Sequence, residues 1–494
     1  MNMKHYTRIP ALALMILTVL SSCEDQYIDL TPQSELTEAN FYKTANDIDK
    51  AVLGLYAAYQ SRIPRDWIIF EMPTDALYPT GYHNFFGLDD INNLSFSSDN
   101  PHFNDFWKSC YSGIFRSNAV LSHYEAPTDY ESDAKKTQYA GEALFMRALF
   151  YFDLVRAFGG VPKVLKTISV EESKGLARAS EQEIYALIVD DLKKAIEDLP
   201  KEMIDGRASQ AAAIALLLKV YVYQENWEGA QSCFNRIESD FSYALAADYN
   251  SLWDEATEDN EEVIFSIQYV GDIDGQPLSD DFLPYFGVSG ITTHGQENGF
   301  PTWQLMKAFE KGDTRKSATV TEYWKSPVSP EGEPAKWYPY ISKFAVPEST
   351  PSSSGLDIPI LRYDDVLLLG AEAVYNLGNA QKALGLLNQI RERAFHDRTH
   401  NYTLNEIASK SSFYDRLLLE RQLEFAYENE RWHDLVRTGR LEESLQQVET
   451  YYNPETKKAL IQKLNPKPYM KHFPIPQPQI NISNEGVLQQ NEGY

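Results

Sequence analysis

The chain has 494 residues, 71 of them acidic and 45 basic, for a formal net charge of −26. Such an imbalance repels nucleic acid and anionic membrane surfaces, so neither is a partner through charge. The length exceeds the ~250–300 residues that a single hydrophobic core usually serves, so more than one packed unit is expected.

Lys4 and Arg8 precede Ala11–Leu20, an apolar run too short to cross a hydrocarbon core of about 30 Å, which needs roughly 20 apolar residues. The run has the dimensions of a secretory signal core. Small residues Ser21 and Ser22 then lead to Cys23. The order Leu20-Ser21-Ser22-Cys23 resembles a bacterial lipobox, which implies acyl chains on Cys23; a secreted protein with an incidental cysteine is the alternative. Several acyl chains give firm anchoring where one gives marginal binding. The pair Glu24-Asp25 resembles the export tag that sends such lipoproteins to the outer face of the cell. Residues 1–22 are therefore read as the signal peptide and 23–44 as anchor and linker. A polar leash of about 20 residues reaches at most roughly 70 Å when extended.

From Ala45 onward helical periodicity dominates, and the body is read as 45–494. Helices are expected at about 45–61 and 106–124, then at Glu142–Phe158, stopped by Gly159-Gly160-Val161-Pro162, and at Ser180–Leu199. Tyr221, Trp227, Ala230, Phe234 and Ile237 match tetratricopeptide spacing, in which small residues let two helices approach and aromatics fill the gap. Leu367–Ala394 is a second match, with Gly378 at the turn and Ala383 at the close approach. Glu420–Arg437 reads as one amphipathic helix, with Arg431 in reach of both Glu428 and Asp434. The expected fold is mainly α, a tetratricopeptide-like scaffold of about four helix pairs with loop-rich insertions and a few short strands. Its helical parts fall at about 45–61, 106–237 and 361–445. Cys110 and Cys233, both among apolar residues, read as buried thiols, with a disulfide between them left open.

The stretches at about 62–105 and 238–360 have little helical period and are rich in Gly, Pro, Ser, Asp and aromatics, as expected of functional loops on a rigid scaffold. Short strands are expected at Glu262–Val270 and Thr319–Trp324. Exposed flat rings suit sugars, because the C–H face of a pyranose packs on a π face while polar side chains bond the hydroxyls. Tyr82, Trp324 and Trp337 have turn-formers or charges beside them and are the leading ligand-binding candidates, forming a shallow platform on one face of the stack. Trp303 fits either core or platform, and Lys311–Arg315 reads as a structural turn. The acidic surroundings favour a neutral ligand.

No catalytic pattern stands out. His396 and His400 lie four apart, but HDRTH lacks the general-base glutamate of a zinc protease helix. Carboxylates are abundant enough for glycosidase chemistry, yet Glu424, Glu428 and Asp434 face arginines that would keep them ionised. The acidic run Glu255–Glu262 and the turn Asp272–Gly275 lack the spacing of a calcium loop and read as solvated surface. No metal or other cofactor is implied.

The order ERQLEFAYENERWHDLVR, together with DLTPQSELTEANFYKT, MRALFYFDLVRAFGGVP, ILRYDDVLLLGAEA and FPIPQPQINISNEGVLQQNEGY, resembles the signatures of the SusD/RagB family. The resemblance runs from about Cys23 to Tyr494 and is weakest at 62–105 and 270–355. It implies a non-enzymatic lipoprotein on the exterior of the outer membrane that captures oligosaccharides for a SusC-like TonB-dependent transporter. A peptide-binding, RagB-like uptake protein and a surface glycosidase are the rival readings.

Overall fold

In the computed structural model, which describes residues 41–81, 85–201 and 206–494, helix α1 (Ala45–Gln60) starts where Thr44 and Asp47 close a reciprocal capping box. Nine further scaffold helices follow: α2 (Pro101–His123), α3 (Asp133–Phe158), α4 (Glu181–Asp198), α5 (Gln210–Tyr223), α6 (Trp227–Asp240), α7 (Tyr363–Asn376), α8 (Ala380–Phe395), α9 (Lys410–Glu424) and α10 (Arg431–Arg437). Successive helices pack in the order α1 on α2, α2 on α3, α3 on α4, α4 on α5, α5 on α6, α6 on α7 and α7 on α8, which is a tetratricopeptide-like stack. Among the described residues no helix is long and apolar enough to cross a membrane. Cys110 and Cys233 are buried free thiols.

The repeat chemistry is visible at the turns. Glu225 and Gly378, each just before the capping asparagine, take left-handed φ values of 53° and 89°. Asn226 Oδ1 then accepts from Gly229 N–H at 3.0 Å, and Asn379 Oδ1 from Lys382 N–H at 3.0 Å, so α6 and α8 start alike. Ala230 and Ala383 are fully buried at the close approaches. Glycine makes two contacts closer still. A Cβ on Gly113 would lie 2.1 Å from the Phe150 ring, and one on Gly370 2.4 Å from Phe234, so α2–α3 and α6–α7 approach nearer than any side chain allows. In the interrupted pair, Arg147 of α3 grips Asp191 of α4 through two bonds of 2.8 and 2.7 Å.

Three expectations change. α2 and α3 begin earlier, at Pro101 and Asp133, because Asn100 and Ser132 supply their caps. The stretch 62–105 is not surface loop throughout: Trp67–Phe70 is a helical turn whose four side chains enter the core. The single helix expected over Glu420–Arg437 is two. α9 ends at Glu424, Tyr427 and Asn429 have φ of 68° and 67°, and α10 restarts at Arg431. The break follows from Lys343, whose buried ammonium donates to the Glu424 and Ala426 carbonyls at 3.3 and 2.9 Å and to Glu428 Oε1 at 2.6 Å. The ammonium thus takes carbonyls that a continuing helix would use itself.

The strands form two-stranded antiparallel ribbons: β1 (Leu77–Pro79) with β3 (Gly299–Pro301), β2 (Val263–Ile267) with β6 (Ile358–Arg362), β4 (Val320–Trp324) with β5 (Lys336–Ile341), and β7 (Gln447–Asn453) with β8 (Lys458–Lys463). β2 and β4 fall inside the ranges expected for them. The β1–β3 ribbon abuts β5, and this junction positions the candidate site.

Candidate functional site

Tyr78 and Phe300 face each other across β1–β3, ring centroids 5.8 Å apart. Phe300 meets Tyr338 of β5 edge-on at 5.4 Å, and Tyr338 meets Trp324 of β4 at 5.0 Å. All four rings are half-buried, so two ribbons carry one continuous aromatic band. Beyond Trp324 the band reaches the loop 283–297, because the indole N–H donates to Gly287 O at 3.1 Å. That loop exposes Tyr285 (53%) and Phe286 (52%), with His294 packed against Tyr285 at 5.1 Å. At its other end, beside Tyr78, the band borders an open recess of about 380 Å³ lined by Pro79, Leu460 and Ile461.

Segments distant in sequence are stitched together beneath these rings. Thr80 Oγ1 donates to Glu297 O at 2.5 Å, and Tyr285 N–H to Glu297 Oε2 at 2.9 Å. Trp67 is wedged between Phe85 and Phe282, with centroids at 5.7 and 5.0 Å, so both loops stand on one buried post. Asp281, beside that post, accepts from Arg65, from Trp67 Nε1 and from Asn298 Nδ2. Burial pushes its carboxyl up to about 6 despite the Arg65 guanidinium. Phe85 lines a recess of about 420 Å³, and the next ring, Phe86, is 82% exposed. Arg65, His102 and Asp105 line that recess and offer the donors and acceptors that sugar hydroxyls need.

The sequence candidates separate in space. Trp324 is in the band. Trp337 is on the opposite face of the β4–β5 hairpin, because it pairs in register with Tyr323 and successive strand residues alternate. Its indole N–H donates to Tyr452 O at 3.0 Å, and its ring meets the edge of Trp303, which stacks on Tyr452 at 3.9 Å and 11°. Trp324 and Trp337 therefore do not share one platform. Tyr82 lies outside the described residues, although Thr80 and Phe85 on either side of it are anchored next to the band. Cys23 also lies outside the described residues. Tyr78, Tyr285 and Tyr338 were legible as aromatics of the right regions, whereas Phe300 carried no local signal: its role comes from β1 pairing across more than 200 residues.

The acidic cluster at the centre of the molecule has a different chemistry. Glu262, Asp364 and Glu424 bring carboxylate oxygens within 4.8 Å of one another, all buried. Arg362 and Arg393 reach Glu262 at 2.9 and 3.1 Å, Arg393 also pairs with Glu424, and Arg362 with Asp364. Burial would raise Glu424, but Arg393, Arg315 and Arg362 outweigh it and hold it far below the usual range. Burial wins at Asp364, which stays well above its range. Guanidiniums thus occupy the places a cation would take, and all three carboxylates are buried. Arg315, fully buried, binds Asp313 at 2.7 Å and Glu420 at 3.0 Å. Arg431 does not face Glu428 and Asp434 as expected; it pairs with Asp75, while Asp434 is held by Arg421 and Arg437. The reason is the break after Glu424, which turns α10 relative to α9.

Two family models match the chain, one described as the SusD family over residues 285–494 and one as starch-binding, associating with the outer membrane, over residues 26–222. A SusD-like protein of Formosa agariphila is 29% identical over 87% of this chain and 91% of its own. A SusD superfamily protein from Bacteroides vulgatus superposes with a TM-score of 0.77 at 25% identity, covering 92% of this chain and all of that one. Surface glycan-binding protein A from Bacteroides thetaiotaomicron, solved in complex with laminarihexaose, gives 0.75 at 22% identity over 91% of this chain and all of its own.

Proposed function

Because this chain belongs to the SusD/RagB family, we propose that it is a non-catalytic glycan-binding lipoprotein, held to the exterior of the outer membrane through Cys23, that captures oligosaccharides and passes them to a SusC-like TonB-dependent transporter. The observation that carries the reading is the aromatic band Tyr78–Phe300–Tyr338–Trp324 continuing to Tyr285 and Phe286. A run of half-exposed rings offers successive apolar faces to successive pyranoses, and Arg65, His102 and Asp105 in the recess beside Phe85 supply hydroxyl partners. A shallow site suits release into a pore. The net charge of −26 favours a neutral glycan over a uronic acid or sulfated chain. The laminarihexaose held by the structural neighbour is a neutral glucan of this class.

Calorimetric titration of the purified protein with neutral oligosaccharides, laminarihexaose first, and with a peptide mixture tests the proposal. Heat of binding with a glycan and none with peptides is expected. Binding of peptides alone would move the protein to the peptide-uptake branch, and reducing sugar released from a bound glycan would make it a hydrolase.

A further inference from the structure

Buried carboxylates in the helical stack are matched to bases, Asp191 to Arg147 and Asp434 to Arg421. Asp280 breaks that pattern. It is 1% exposed, and its two oxygens accept from hydroxyls, Thr292 Oγ1 at 3.1 Å and Ser352 Oγ at 2.9 Å. Glu348 lies beside it. Its Oε2 accepts from Ser352 N–H at 3.2 Å, while Oε1 is buried without a hydrogen bond. Glu255 approaches from a third segment, where it accepts from Gly355 N–H at 2.9 Å. Among the described residues, no lysine, arginine or histidine pairs with any of the three acids. Burial first, then the Asp280 charge, with Glu255 adding to it, pushes Glu348 up to about 7. Ser279 is the second irregularity. It is 1% exposed, its hydroxyl faces the Glu348 carboxylate, and Oγ makes no hydrogen bond of ordinary geometry. Two buried oxygens left unsatisfied side by side call for a partner.

We propose that Asp280, Glu348 and Ser279, with Glu255 as the outer carboxylate, form a calcium site. Calcium takes about six to eight oxygen ligands in an adaptable arrangement, and carboxylates, hydroxyls and loop carbonyls are all of that kind. Magnesium is smaller and demands a near-ideal octahedron, which a set drawn from several loops suits less well. The carboxylate trio Glu262, Asp364 and Glu424 is already drawn together, but arginines fill it. At Asp280 no guanidinium competes, and a divalent charge offsets the mutual repulsion of the acids. The position gives the site a consequence. Asp280 O accepts from Gln296 N–H at 2.6 Å, and Glu348 N–H donates to Ile291 O at 3.1 Å. Both bonds hold the loop 283–297, which exposes Tyr285 and Phe286. Bound calcium therefore fixes the loop that ends the aromatic band. That consequence rests on the glycan-binding reading, whereas the ion site itself does not.

Titration calorimetry of the purified protein, stripped with EDTA and free of glycan, tests the site. Calcium chloride is expected to bind at about one ion per chain with Kd below about 1 mM, and magnesium chloride at least about tenfold more weakly. Saturating calcium should raise the melting temperature by about 2 °C or more. Glu348→Gln and Asp280→Asn keep the side-chain sizes and should each weaken calcium binding at least about tenfold, because ligand charge sets the affinity. Glu171→Gln, an acid paired with Lys174 elsewhere, should leave it unchanged. No heat and no shift in melting up to about 10 mM calcium chloride overturns the proposal. So does calcium binding that survives both substitutions, or magnesium binding as tight as calcium. Should Asp280→Asn fail to fold, Glu348→Gln and the titration of the unaltered protein still decide. Calcium binding with no response to laminarihexaose supports the site and counts against the glycan reading alone.

Discussion

Arg431 and Asp75 lie 356 residues apart and close on each other through two parallel N–H···O bonds, Nε at 2.8 Å and Nη2 at 2.7 Å, both side chains buried. The pair ties α10 to the turn just before β1. From Asp75 the chain passes through Ala76, whose carbonyl accepts from Tyr427 Oη at 3.2 Å, into the strand that carries Tyr78. A family-signature residue is thereby mechanically connected to the aromatic band.

Arg431→Ala leaves Asp75 buried without its cation and is expected to lower stability by about 3–5 kcal/mol. Asp75→Asn in the same chain removes the stranded charge and should recover part of the loss. Chemical denaturation of the two variants measures both effects; equal stability of Arg431→Ala and the parent would mean that the pair contributes nothing.

Gly370 tests the stack. Its missing Cβ leaves room for the Phe234 ring, and that ring is fully buried with nowhere to swing. Gly370→Ala is expected to cost about 1–3 kcal/mol through overpacking, against the usual gain of an alanine in a helix. Ala383→Trp should cost at least as much. Thermal melting reads both.

Stability should fall from mildly acidic toward neutral pH. Burial pushes Glu71 up to about 8, opposed only in part by the Asn429 N–H at 2.7 Å, and pushes Asp66 up to about 7. A carboxyl whose folded pKa is raised favours the fold fully below its unfolded pKa, near 4.5 for Glu71. That contribution is lost as pH rises through the folded value. Denaturation midpoints are thus expected to decline from about pH 5 to about pH 8. Glu71→Gln, which cannot ionise, should remove the uptake of about one proton from that slope. An unchanged slope would place the pH dependence elsewhere.

What could be read from sequence followed the range of the interactions. Turns such as Asn226-Trp227 and Asn379-Ala380 carry their own caps and their own close-packed alanines, so the helix pairs were legible locally. The break at Tyr427 was not, because the group that causes it, Lys343, comes from more than 80 residues away. Arg431 looked paired with its helical neighbours for the same reason. In the candidate site, the ring-rich regions were evident from composition, and Trp324 followed from its neighbours. That β1 would pair with β3 and bring Phe300 beside Tyr78 was written in neither segment alone. The buried Trp67 resembled a loop aromatic because its apolar run is only four residues long.

The two tryptophans of the β4–β5 hairpin provide the sharpest test of the band. Alternation along the strands puts Trp324 on the face with Tyr338 and Trp337 on the face with Tyr323. Trp337 is fixed by its bond to Tyr452 O and by the Trp303–Tyr452 stack, so it fastens the β7–β8 hairpin to the body. Trp324→Ala should weaken glycan binding by about 1–3 kcal/mol, taking the scale of aromatic–base stacking as an analogy, with little change in melting temperature. Trp337→Ala should lower the melting temperature and leave the affinity of the folded protein nearly unchanged. Titration calorimetry and thermal melting on both variants separate the roles. Loss of affinity at Trp337 with none at Trp324 would place the sugar on the other face of the hairpin, over Tyr323 and Trp303.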